Sequence, residues 1–101
     1  MGYHIHWTTS AEISYAEEIE FINKKWNIKE IENFISLSND FIKCISKNPT
    51  IGIYSRKFKF FSIVISKQTT LVYKIVENKN QIDLLLFWNN KKNPKRLKKL
   101  L

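Results

Sequence analysis

The chain has 101 residues, 44% of them hydrophobic and 26% charged, which is typical of a globular domain and excludes an intrinsically disordered protein. Its single cysteine excludes a disulfide framework, and no apolar run reaches the ~20 residues of a membrane-spanning helix. The net charge of +8 is uneven, because residues 1–50 carry five basic and seven acidic side chains and residues 51–101 carry twelve basic and two acidic ones. We therefore expect the second half to meet a polyanion, an acidic protein or an anionic membrane surface.

The first predicted elements are a short strand and a helix. Tyr3, Ile5 and Trp7 alternate with polar residues, which predicts a strand. Apolar residues recur at helical spacing over residues 15–26 and predict a helix, for which Ser10 is the expected N-cap. The acidic residues of this helix are expected to face solvent, and they are Glu12, Glu17, Glu18 and Glu20.

A second helix is predicted directly after the first. Asn27 interrupts the apolar pattern, and a second stripe with helical spacing covers residues 31–45. Pro49 ends this helix because proline lacks the backbone N–H that a helix interior requires. Two helices joined by so short a turn predict an antiparallel helical hairpin.

Three further strands are predicted after the helices, where the apolar period changes to two. The first covers residues 56–66, with a bulge or bend near Phe60. The second covers residues 69–76, and a turn at residues 78–80 leads into the third.

The last predicted strand, residues 81–88, has apolar side chains on both faces and is therefore expected inside the sheet. Strict alternation would place Ile82, Leu84, Leu86 and Trp88 on one face and Leu85 and Phe87 on the other. Residues 89–101 are expected to form a loop and then a short basic helix, with Asn93 and Pro94 at its start.

This order predicts an α+β fold, β-α-α-β-β-β, with the helical hairpin on one face of a mainly antiparallel four-stranded sheet. We expect residues 1–101 to form one domain. The low cysteine content favours the reducing cytoplasm, and the polar start of the chain does not resemble a signal peptide. We predict no integral membrane association.

The strongest functional signal is the set of basic side chains in the second half. They interleave with Phe58, Phe60 and Tyr73, a combination typical of a surface that follows phosphates and stacks bases. The alternative is a solvated basic face that keeps a sheet edge from aggregating. The candidate target-binding residues are Arg56, Lys57, Lys59, Lys67, Lys74, Lys91, Lys92 and Arg96.

Other kinds of site have less support in the sequence. His4 and His6 project to the same side of the first strand, but a metal site needs a third ligand, so an exposed pair is expected and no metal or cofactor is predicted. Cys44 has no histidine after it to activate it as a nucleophile. RNA cleavage would need a proton acceptor and a proton donor beside the cations, and the candidates are Tyr73, a lysine or the distant histidines.

The order and spacing of several segments resemble those of the RelE/ParE superfamily of bacterial type II toxins. The segments are residues 5–8, residues 10–26, residues 48–49, residues 71–74 and residues 87–94. The resemblance implies a cytoplasmic toxin that a cognate acidic antitoxin neutralises. It also implies a target, because RelE-like members cut mRNA on the ribosome and ParE-like members inhibit DNA gyrase.

The resemblance also implies site residues for each branch. RelE-like nucleases use a Lys-x-Lys pair, which Lys57 and Lys59 match, and an arginine where this chain has Thr70. A cleavage site of that kind would contain Lys57, Lys59, Tyr73 and Lys91, with Lys92 as an alternative to Lys91.

The polar loop and the Pro94 near the end are similar to the ParE branch, so the resemblance implies gyrase binding first and mRNA cleavage second. A module that binds nucleic acid or a membrane surface without toxicity is the third alternative.

Overall fold

The computed structural model describes residues 2–91. Its elements, in chain order, are β1 (His4–Trp7), α1 (Thr9–Lys25), α2 (Ile28–Lys47), β2 (Ile53–Ser55), β3 (Phe60–Val64), β4 (Thr69–Val76) and β5 (Gln81–Asn89). A single 3₁₀ turn, Glu77–Lys79, connects β4 to β5. No helix in the described part of the chain is both long enough and apolar enough to span a bilayer.

The strands form one sheet in the order β1-β5-β4-β3-β2. β1 pairs with β5 in parallel, and the other three pairings are antiparallel. Both helices follow β1 in sequence and cover one face of the sheet, which confirms the α+β class. The sheet has five strands, however, and the prediction of four was wrong.

The strand that the sequence did not predict is β2, which is only three residues long. Residues 56–59 alternate like a strand, but they form the turn of a β2–β3 hairpin instead. Lys59 N donates to Ser55 O at 2.7 Å and Phe58 N donates to Ser55 Oγ at 3.2 Å, so Ser55 closes the turn. The predicted bend near Phe60 is therefore the end of this turn, where β3 begins.

The helix ends follow local capping. α1 is capped by Thr8 rather than by Ser10, because Thr8 Oγ1 accepts from Ala11 N at 3.1 Å and also donates to Leu84 O at 2.7 Å. The second contact joins the start of α1 to β5. α2 is capped by Asn27, whose Oδ1 accepts from Glu30 N at 3.2 Å. It ends just before Pro49, where its end was predicted.

The main core lies between the helices and the sheet. Its buried side chains include Leu71, Tyr73, Ile82 and Leu84 from the sheet and Ala11, Ile22, Phe34 and Ile45 from the helices. Burial of this apolar surface is the main force that holds the two layers together.

β5 contains a bulge that changes which residues face the core. Val72 pairs with Leu86 and Tyr73 pairs with Leu84, so Leu85 is the extra residue. Leu84 and Phe87 therefore belong to the core under the helices, whereas Leu86 and Trp88 belong to a second cluster. β5 lies inside the sheet as expected, but the prediction that Leu84, Leu86 and Trp88 share a face was wrong.

Candidate functional site

The face of the sheet that α1 and α2 leave uncovered is called the outer face here. Side chains alternate along a strand, so the neighbours of core residues in the sheet point to this face. Ile5 and Trp7 pack against the core, which places His4 and His6 on the outer face. Val72, Leu86 and Trp88 form an apolar cluster on it, with Phe60 and Leu85 against them.

A cavity of about 410 Å³ lies on the outer face and is called the outer groove. Three parts of the chain line it: the start of α1, the β2–β3 turn and the middle of the sheet. The lining residues are Thr8, Ser10, Phe58, Lys59, Phe60, Lys74, Leu85 and Leu86. The groove therefore has an apolar floor and two lysines.

The β2–β3 turn carries Lys59 into the groove in an unusual conformation. Lys59 has φ 58°, in the left-handed region that costs a non-glycine residue roughly 1–2 kcal/mol. The rings of Phe58 and Phe60, the residues before and after it, stack on each other, with centroids 5.8 Å apart and planes 15° apart. The Lys57 ammonium lies 5.5 Å from the Phe58 ring centroid, and Lys57 does not line the groove.

The groove favours anions for two reasons. Lys59 and Lys74 are both exposed and bring two positive charges to one cavity. Thr8 and Ser10 lie at the N-terminus of α1, where the helix dipole adds partial positive charge. Helix N-termini and lysines both bind phosphate groups in proteins.

A row of polar residues crosses the outer face at the edge of the groove. His6 on β1 pairs with Asp83 on β5, and Asp83 pairs with Lys74 on β4. Residues that pair directly across strands share a face, with Cβ atoms ~5 Å apart. The Asp83 Oδ1 atom also accepts from Gln81 Nε2 at 2.7 Å. Lys74 belongs to both the row and the groove. His6, which is far from the lysines in the sequence, therefore lies only two strands away from a lysine of the groove.

The other basic candidates do not converge on this groove. Lys67 lines a separate cavity of about 230 Å³ beside α2, and Lys91 lines another of about 350 Å³ beside α1. Arg56 lies in the β2–β3 turn without lining the groove. The candidates Lys92 and Arg96 lie outside the described residues. Of the predicted binding residues that the structure describes, Lys59 and Lys74 are the two that line the outer groove.

Tyr73 is fully buried on the helix side of the sheet and does not reach the outer groove. Its hydroxyl donates to Pro49 O at 2.8 Å and accepts from Gly52 N at 3.1 Å. Burial raises the pKa of Tyr73 above its usual 10.0, and the hydrogen bond from Gly52 opposes part of this rise. Tyr73 therefore ties the segment before β2 to the sheet.

Glu18 is buried as well, and the prediction that it faces solvent was wrong. Its carboxylate accepts from Thr69 Oγ1 at 2.5 Å and from Asn89 Nδ2 at 3.2 Å. Thr69 and Asn89 pair across β4 and β5, so Glu18 fastens α1 to one end of both strands. The signal was in the spacing, because Ala11, Ser14, Glu18 and Ile22 all lie on the buried face of α1.

The row of His6, Asp83 and Lys74 was missed because the sequence does not show that β1 pairs in parallel with β5. Once that register is known, strand alternation alone brings the three residues together. No group of three or more His, Cys, Asp or Glu side chains in residues 2–91 has the arrangement of a metal site.

Comparison with known proteins gives a fold relationship. No family model matches the chain, and no curated protein matches it. Among solved structures it is similar to a chain of the toxin–antitoxin complex RelBE2 from Mycobacterium tuberculosis, with a TM-score of 0.61 and 16% sequence identity. The match covers 89% of this chain and 100% of that chain. The chain therefore shares its fold with that chain of the RelBE2 complex.

Proposed function

We propose that this chain is the toxin of a bacterial toxin–antitoxin pair and that it cuts translated mRNA held in the outer groove. The observation that carries the proposal is the likeness to a chain of a toxin–antitoxin complex over 89% of this chain and all of that one. The toxin acts as a single domain in the cytoplasm, and a cognate antitoxin neutralises it.

An acidic antitoxin fits the charge of the chain. The net charge is +8, and twelve of the seventeen basic residues lie in residues 51–101. A partner of opposite charge associates faster and covers these side chains when the toxin is at rest.

RNA cleavage is favoured by the chemistry around the outer groove. The sequence alone put gyrase binding first, because the polar loop and Pro94 are similar to the ParE branch and because no clear acid–base group accompanies the lysines. The register of β1, β5 and β4 supports the opposite order, since His6 and Asp83 share a line of cross-strand partners with Lys74. Metal-independent RNA cleavage requires cations on the phosphate and a proton acceptor, and an imidazole can serve as that acceptor.

Gyrase binding, the ParE-like activity, is the second candidate. It is favoured by the dispersal of the four residues that the resemblance assigns to cleavage, of which Lys59 alone lines the outer groove. Lys57 sits over a phenyl ring, Tyr73 is buried, and Lys91 lines a different cavity. A toxin that only binds its target does not need these four side chains together.

Controlled expression in a bacterial host tests the toxin proposal. Induction of the full chain should stop growth, and co-expression of the adjacent antitoxin gene should restore it. The double variant Lys59→Asn with Lys74→Gln should lose toxicity, and Lys29→Gln with Lys79→Gln should keep it, because Lys29 and Lys79 are exposed lysines outside the groove.

Two assays then separate the targets. Cuts within translated mRNA, mapped by primer extension, support the nuclease, whereas loss of gyrase supercoiling without such cuts supports the second candidate. Unchanged growth during strong expression would contradict both RNA cleavage and gyrase binding, and would favour the third alternative, a non-toxic binding module.

A further inference from the structure

We propose that His6 is the proton acceptor that starts RNA cleavage in the outer groove and that Asp83 positions its imidazole. The inference rests on the proposed nuclease function and names the groups that move the proton. It stands on the position of His6, which is exposed on the outer face in the row that ends at Lys74.

RNA carries its own nucleophile, the 2′-hydroxyl next to each phosphate. Cleavage begins when a base removes the proton of that hydroxyl while cations stabilise the charge that develops on the phosphoryl oxygens. Imidazole is the side chain that most often accepts and returns a proton near neutral pH. His6 and Asp83 lie beside the groove rather than in its lining, on the side of Lys74, so an RNA strand that is bound along the outer face and held by Lys59 and Lys74 would pass the polar row.

The bonds and protons of this step balance. A nitrogen of His6 takes the 2′-hydroxyl proton, the 2′ oxygen forms a bond to phosphorus, and the bond from phosphorus to the 5′ oxygen breaks. The 5′ oxygen takes a proton from water. The products are a 2′,3′-cyclic phosphate and a 5′-hydroxyl end, and His6 returns its proton to solvent.

Asp83 is suited to position the imidazole because it lies directly across from His6 on the neighbouring strand. A carboxylate beside a histidine fixes its tautomer and orientation and stabilises the imidazolium that forms. The Asp83 Oδ1 atom accepts from Gln81 Nε2 on the same strand. Asp83 is therefore a positioning residue, and His6 is the group that touches the substrate.

The strand offers a matched control for His6. His4 lies on the same face of β1 and is also exposed, but it pairs with Gln81 instead of Asp83. Both His6→Ala and His4→Ala remove an exposed imidazole, so both variants are expected to fold. Thermal melts of the two full chains check this.

The measurement is the rate of cleavage of an mRNA in a purified translation reaction, with cut ends mapped by primer extension. We expect His6→Ala to lower the rate by about 100-fold or more, the usual contribution of a general base, and His4→Ala to leave it within a factor of about three. Added imidazole should restore part of the His6→Ala rate. The cut ends should carry a 2′,3′-cyclic phosphate, and a 2′-deoxy substitution at the cut site should block cleavage.

A second comparison separates positioning by Asp83 from a structural role. Asp83→Asn should slow the wild-type chain, but it should not slow imidazole-rescued His6→Ala, because free imidazole needs no fixed orientation. An equal loss in both backgrounds would overturn the positioning role.

Failure of this inference differs from failure of the toxin proposal. Cleavage by His6→Ala at the wild-type rate would overturn the role of His6 and leave the nuclease intact. Growth arrest without RNA cuts would overturn both the role of His6 and the nuclease activity, but it would still support the proposal that the chain is a toxin. The absence of both growth arrest and cuts would overturn all three.

Discussion

The salt dependence of RNA binding measures how many phosphates the outer groove neutralises. Each lysine that pairs with a phosphate of a single strand contributes about 0.7 to the slope of log affinity against log salt concentration. Lys59 and Lys74 are the lysines that line the groove, so Lys59→Asn with Lys74→Gln should lower the magnitude of the slope by about 1.4. Over a fourfold rise in salt, wild-type affinity should then fall about 7-fold more than that of the variant.

Fluorescence anisotropy with a labelled single-stranded RNA is the assay, and methylated 2′-hydroxyls prevent cleavage during the titration. Lys29→Gln with Lys79→Gln is the control, since it removes the same charge from exposed positions outside the groove. This control should keep nearly the wild-type slope. Equal slopes for the groove variant and the wild type would refute the reasoning, as would an equal loss of slope in the control, because net charge rather than the groove would then set the affinity.

Three further predictions concern stability, and denaturant unfolding of the full chain checks each. Glu18→Ala removes the acceptor of two buried hydrogen bonds and should lower the free energy of unfolding by about 2 kcal/mol. The control Glu17→Ala, at an exposed position, should change it by less than about 0.5 kcal/mol. Equal effects of the two substitutions would contradict the role of Glu18 in the buried contacts. Tyr73→Phe removes the hydroxyl contacts and should cost about 1 kcal/mol at neutral pH. Because the pKa of Tyr73 is raised above 10.0 on folding, the stability that Tyr73 contributes is fully present below pH 10.0 and is lost as the pH rises through the folded value. The loss of stability at high pH should therefore be smaller in Tyr73→Phe. Lys59→Gly should raise stability by up to about 1 kcal/mol because glycine adopts the left-handed conformation without strain, and a decrease would show that the lysine side chain stabilises the turn.

The parts of the fold that were predictable are those that local patterns determine. α2 ends before Pro49 because a proline cannot continue it, and β4 begins and ends where the alternation of residues 69–76 does. The errors arose where pairing rather than pattern decides. The alternating lysines and phenylalanines of residues 56–59 have strand periodicity, yet Ser55 closes them into a turn. A three-residue edge strand such as β2 has too little sequence to be recognised.

The site was harder to predict because it depends on contacts between distant parts of the chain. Lys59 and Lys74 were identified by charge and lie in one groove, but charge also selected Lys67, which lines another cavity. Charge gives the type of side chain and says nothing of the face on which it lies. The bulge at Leu85 illustrates the same limit, because one extra residue exchanges the faces of the residues that follow it.

The strain at Lys59 is itself an argument for the groove. Two non-glycine residues in the described chain have positive φ, Lys59 and Asn80. Asparagine tolerates this conformation, and Asn80 closes the ordinary turn before β5. Lysine does not, and glycine at the same position would form the turn at lower free energy. Strained residues of this kind persist where surrounding structure holds them and cluster at functional sites. Because the strained turn carries a positive charge to the groove that Lys74 also lines, we expect glycine at position 59 to give a more stable protein that binds RNA more weakly.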